Sequence, residues 1–229
     1  MWRFVVVAVA AGLVSACGGG DTGGAVVDGA VVYRDTLLNN RDGWVVGRDA
    51  YYRDDGYHWD NVPGWVVAGS DALLERDIPP GIAASVGVKQ ERGAALRAIV
   101  CRSSGPRDGD PQDWYELGID GRRALIRRIA QHVQPRVLAR ADAPVANGRR
   151  VRLTAACVPD ADGGLVLTLR LDGREVVRAR DGKPIGATFD GLPTMVELRA
   201  YPRPDTREPP NLVWKDFEVR RAALANVHA

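Results

Sequence analysis

Carboxylates, histidines, cysteines and aromatic rings are the side chains of this 229-residue chain that could do chemistry. A retaining glycosidase needs two carboxyl groups about 5 Å apart. On a strand, that means acidic residues at alternate positions of one face. No Glu-x-Asp-x-x-Glu pattern occurs. Glu116 and Asp120 lie four apart, but Asp120 precedes Gly121 and reads as the aspartate of a tight turn. His58 sits among aromatics, His132 near a turn and His228 in the tail, and none has a serine or cysteine at hand to activate. No catalytic residue is assigned. Asp160-Ala161-Asp162-Gly163-Gly164 opens like a calcium loop, yet the twelfth position is Leu171, where an EF-hand needs Glu. A hairpin loop is the simpler reading, and neither metal nor cofactor is expected.

Tyr51, Tyr52, Tyr57, Trp59 and Trp65 crowd one short stretch of a chain with only 7% aromatics. Sugar rings stack on such faces, and Arg53, Asp54, Asp60 and Asn61 are available to bond hydroxyls. Tyr57 and Trp59 also alternate onto one strand face, so core filling competes with ligand stacking, as it does for Trp44. Trp114 and Tyr115 point to opposite faces, one buried and the other at least partly exposed. The candidate ligand-binding set is therefore Tyr51, Tyr52, Trp59, Trp65 and Trp114.

The first seventeen residues address the chain. Arg3 supplies a positive start, and residues 4–13 form an apolar run too short to span a bilayer. Val14-Ser15-Ala16-Cys17 then reads as a lipobox, with Cys17 the lipidated residue. Glycine-rich residues follow, and such composition makes a flexible tether. The divisions are a signal peptide at 1–16, anchor and tether at 17–30, one domain at 31–221 and a tail at 222–229. The expected place is the outer face of the cell membrane, held by lipid. Cys101 and Cys157 remain, and in an oxidising compartment the pair reads as a disulfide between neighbouring strands.

Short apolar runs separated by Asp-Gly turns fill the rest, at Asp42, Asp55, Asp120, Asp172 and further positions. Alternation over 151–155 and 165–171 gives strands with one buried face. Further strands are expected over 57–62, 83–89, 95–102, 114–119, 125–130, 195–201 and 212–219. Residues 122–133 also fit a helical stripe, with a strand preferred by the surrounding rhythm. Net charge is +2, and only three of 31 basic residues are lysine. The arginines reflect a GC-rich codon bias rather than a polyanion-binding surface, and nucleic acid is not an expected partner.

In order along the chain come Asp42-Gly43-Trp44, Asp55-Gly56-Tyr57, Ala98 to Arg102, Trp114 to Gly121, Cys157, residues 165–173 and Trp214 to Val219. This order resembles the concanavalin A-like lectin/glucanase jelly roll, in particular the branch near 3-keto-disaccharide hydrolase domains found on actinobacterial-type lipoproteins. The resemblance covers about residues 31 to 221. It implies an all-β, antiparallel two-sheet sandwich with a concave face where carbohydrate binds in many relatives. The expected function is a non-catalytic, membrane-anchored domain that binds an envelope glycan or protein partner. A glycoside-processing enzyme and a structural envelope protein are the alternatives.

Overall fold

A computed structural model describes residues 24–60, 66–68, 78–103, 114–130, 133–184 and 194–225. Cys17, Trp65, His132 and His228 lie outside the described residues. Among the described residues every regular element is a β-strand. One sheet holds eight strands: β1 (Val26–Asp35), β2 (Ala50–Arg53), β3 (Gly56–Trp59), β5 (Ile82–Arg92), β10 (Arg150–Pro159), β11 (Leu165–Leu171), β12 (Arg174–Asp181) and β14 (Asn211–Leu224). Their order is β12-β11-β10-β5-β14-β3-β2, with β1 pairing β14 as well. The second sheet holds β4 (Val66–Ala68), β6 (Ala95–Ser103), β7 (Trp114–Ile119), β8 (Arg123–Ile129), β9 (Arg136–Asp142) and β13 (Thr194–Pro202), ordered β4-β13-β6-β7-β8-β9. The expected all-β two-sheet sandwich is what forms.

Side-chain alternation decides what lies between the sheets. Val151, Leu153, Ala155 and Cys157 of β10 face inward, as do Tyr115, Leu117 and Ile119 of β7 and Val196, Leu198 and Ala200 of β13. Residues 123–129 settle as a strand, because Ala124 and Ile126 are buried in this core while Arg123 is exposed. Trp44, Tyr57, Trp59, Trp214 and Phe217 build an aromatic cluster with ring centroids 5.1–6.2 Å apart. The β11–β12 hairpin turns on Asp172 and Gly173, at φ 50° and 83°. Both residue types tolerate that left-handed region, as a two-residue turn requires.

Two expectations need correction. Cys101 and Cys157 do form a disulfide, but it joins β6 to β10 in opposite sheets rather than neighbouring strands. Both cysteines occupy inward positions, and their Cα atoms stand 6.6 Å apart across the core. Alternation within one strand reports the face but not which strand lies opposite. The sheet also extends beyond residues 31–221: β1 begins at Val26, inside the segment read as tether, and pairs with β14 as far as Leu224. The ends of these two strands fold across the outer face of the eight-stranded sheet. There Ala83, Ala156 and Val158 lie beneath Val26, Ala222 and Leu224. Arg170 reaches Asp28, and Arg178 donates to the Gly24 carbonyl at 3.2 Å.

Candidate functional site

The aromatic residues singled out from the sequence do not assemble. Trp59 is fully buried in the inter-sheet core, where no ligand can stack on it, so it leaves the candidate set. Its indole is packed edge-on against Trp214. Tyr52 packs against the same core and stacks on Tyr57 at 4.9 Å, and burial raises its hydroxyl pKa far above the usual tyrosine range. Tyr51 lies on β2, stacked on His58 at 5.5 Å, with the Arg53 guanidinium 4.9 Å from its ring centre and its hydroxyl donating to Asp60. His58 is itself buried and bonded to Asp55 at 2.6 Å, a packing role. Trp114 belongs to the other sheet. A period-2 pattern cannot distinguish two tyrosines at a sheet edge from a ligand platform.

The outer face of the six-stranded sheet gathers a different set. Register places Glu197 of β13, Val100 of β6, Glu116 of β7 and Arg127 of β8 in one row across the strands. The next row carries Arg199, Ala98, Gly118 and Leu125. Val100, Ala98 and Gly118, short side chains or none, occupy the middle of these rows. At Gly118 a Cβ would stand 2.2 Å from the Arg97 carbonyl and 2.8 Å from the Ala98 side chain, so only glycine fits. Long side chains from the flanking strands lie over these short residues. Tyr201 of β13 donates its hydroxyl to Glu116 Oε1, and the Arg127 guanidinium lies 4.9 Å from the centre of the Tyr201 ring.

Glu116 is the hub. It is fully buried, and it accepts from Trp114 Nε1 at 2.9 Å, from Tyr201 and from Arg127 Nε. Arg199 Nη1 stands 3.8 Å from it, while the same guanidinium donates to Glu197 at 2.7 Å and covers Trp114 at 4.2 Å. Arg102 completes the set, 2.9 Å from Glu197. Burial is the main reason the Tyr201 pKa is pushed up to about 12, with the Glu116 charge adding to it. The phenol therefore stays protonated and donating. Arg199 is drawn the other way by its burial, but the Glu197 charge and its hydrogen bonds outweigh that and hold it firmly cationic.

The positions of the two carboxylates can be set against what glycoside hydrolysis needs. A retaining glycosidase holds its two carboxyls about 5 Å apart with the sugar between them. Glu116 and Glu197 lie on strands either side of β6, and the Arg199 guanidinium stands between their carboxylates, 3.8 Å from one and 2.7 Å from the other. Both carboxylates lie beneath guanidinium groups, 0% and 8% exposed at the side chain. Asp120, the other acidic candidate, accepts from the Arg122 and Arg123 amides at 3.0 and 2.8 Å, as a turn aspartate does. Asp160 likewise closes the β10–β11 loop through the Asp162 and Gly164 amides and Arg180. Sequence reasoning missed Arg127, Glu197, Arg199 and Tyr201. The readable signal was β13, whose one face is Val196, Leu198 and Ala200 and whose other is Glu197, Arg199 and Tyr201.

No family model matches the sequence, and no curated protein does. Solved structures do. A Bacillus subtilis protein of unknown function with a galectin-like fold aligns at TM-score 0.62 and 14% identity, over 88% of this chain and all of that one. The fold is the lectin/glucanase jelly roll. The carbohydrate-binding module CBM66 from Bacillus subtilis aligns at 0.53 and 12% identity, over 80% of this chain and 99% of the module. An endo-beta-1,3-glucanase from Pyrococcus furiosus aligns at 0.57 and 11%, over 85% and 95%. At such identities the shared property is the jelly roll itself, and function must be argued from the site.

Proposed function

We propose that this chain is an envelope lipoprotein, anchored through Cys17, that binds glycan without cleaving it on the outer face of its six-stranded sheet. The observation that carries the reading is the network around Glu116, which fixes Trp114, Tyr201, Arg127 and Arg199 in one patch. Aromatic rings and oriented guanidinium groups are what a sugar-binding surface needs, because rings stack on apolar sugar faces and N–H groups bond hydroxyls. Carboxylates hidden beneath them support binding over hydrolysis. Carbohydrate-binding modules and glucanases among the similar folds are consistent with a glycan ligand.

A glycan array and a cell-wall pull-down with the full chain test this. Binding is expected to weaken at least tenfold in Trp114→Ala and to persist in Tyr51→Ala, whose side chain lies on the other sheet. Silence of the intact protein in both assays would sink the reading, and turnover of a 3-keto-glucoside would replace it with the enzymatic one. For the anchor, Cys17→Ser should move the protein from the membrane fraction to the soluble one. Unchanged fractionation would remove the lipid from the account.

A further inference from the structure

We infer that the glycan taken by this face is acidic, with a uronate carboxylate seated on the outer edge of the Arg127 guanidinium. The inference rests on the glycan-binding reading and deepens it. Arg102, Arg127 and Arg199 meet Glu116 and Glu197 in the described cluster, so guanidinium groups border both carboxylates. The cluster is layered. Glu116 lies at the bottom with none of its side chain exposed, whereas Arg127 keeps 21% of its own. A ligand approaching this patch meets cation before anion.

Arg127 is also preset for a carboxylate. Its Nε is held by Glu116 and its plane rests over Tyr201. Among the described residues, neither of its terminal nitrogens has a hydrogen-bond partner. That leaves the end-on pair of N–H groups, fixed in orientation, which matches the two oxygens of a carboxylate. A neutral sugar hydroxyl would use one of these donors and leave the other without an acceptor. Trp114 lies one step further along the sheet. Its strand partner is Ile129, and that of Glu116 is Arg127, so the backbones of Trp114 and Arg127 are offset by two residues along the strands, about 7 Å. One hexose spans that distance, with its ring against the partly exposed Trp114 and its carboxylate on Arg127.

Titration calorimetry of the full chain with oligogalacturonate, and with the same oligomer after its carboxyls are reduced to hydroxymethyl groups, decides the matter. The acidic form is expected to bind at least tenfold more tightly, and Arg127→Gln should bring the two forms within twofold of each other. Arg127→Lys keeps the charge but loses the fork, and should recover only part of the preference. Circular dichroism of each variant guards against misfolding, and raising the salt on the unaltered protein gives a second reading that needs no substitution. Equal affinity for both oligomers overturns the acidic preference and leaves glycan binding intact. No binding to either oligomer overturns the preference, and the neutral glycan array then decides separately whether the face binds sugar at all.

Discussion

A buried carboxylate with three hydrogen-bond donors around it is worth most as part of its set, and Glu116 illustrates the point. Removing one partner of a buried, hydrogen-bonded ion pair leaves the other charge stranded, at a cost of roughly 3 to 5 kcal/mol. Arg127 is partly exposed, with its guanidinium held against Tyr201, and Arg199 is 8% exposed at its side chain, so Arg199 above all is left without a ready route to water when Glu116 is lost. Glu116→Ala is therefore expected to lower unfolding free energy by about 3 kcal/mol or more. Denaturant melts would show it, and a loss under 1 kcal/mol would mean that the network is not held together by this carboxylate. Glu116→Gln keeps acceptor geometry for Trp114 and Tyr201 but removes the charge, and should fall between. Tyr201→Phe deletes only a hydroxyl, so the same melts should register about 1 kcal/mol.

Between the elements, the strongest single tie is the disulfide that pins β6 to β10 through the core. A bridge closing a loop of sequence separation 56 stabilises by roughly 4 kcal/mol in the chain-entropy model. The double substitution Cys101→Ser/Cys157→Ser should show that loss in guanidinium melts, and reductant should reproduce it in the unaltered protein but not in the variant. An unchanged midpoint after complete reduction would assign the sandwich's stability to packing alone. Strands with clean alternation, such as β7, β10 and β11, were legible from residue types, as was the Asp172-Gly173 turn. β9 was not, because as an edge strand it keeps Arg136, Val137 and Arg140 exposed and so blurs the pattern. The candidate site was less legible still. Of this cluster the sequence singled out Trp114 as a ligand-binding candidate and weighed Glu116 only as an acid, since Glu116 and Tyr201 stand 85 residues apart and meet only because β13, β6 and β7 pair side by side. Cross-strand register is a property of the whole sheet, and no local spacing encodes it.

For the molecule as a whole, the two sheets differ in what their outer faces carry. The Glu116 patch lies outside the six-stranded sheet, while the first described residues, Gly24 to Asp28, lie against the outside of the eight-stranded one. Under the anchor proposed at Cys17, load would enter at the N-terminal end of β1, on the outer face opposite the one that carries Glu116. Any pull on the tether is then borne by β1, which makes its attachment to β14 the joint that matters. Glu218 of β14 sits in that joint between Arg34 of β1 and Arg220. Burial raises its pKa, but the hydrogen bonds and charges of Arg220 and Arg34 outweigh this and hold the carboxyl below the usual glutamate range. A folded-state value lower than the unfolded one stabilises the charged form. The contribution is thus complete above pH 4.5, the ordinary value, and is lost as pH falls through the folded one. Arg34 is 62% exposed, so solvent screens its share and the whole is worth about 1 kcal/mol. Amide exchange in β1 should accordingly run about fivefold faster in Glu218→Gln at neutral pH. In the unaltered protein the protection of β1 relative to β10 should fall only below pH 4.5. If β1 keeps the same relative protection in the variant, the strand is held by its backbone ladder and the small apolar cluster under Val26, and the charged joint plays no part.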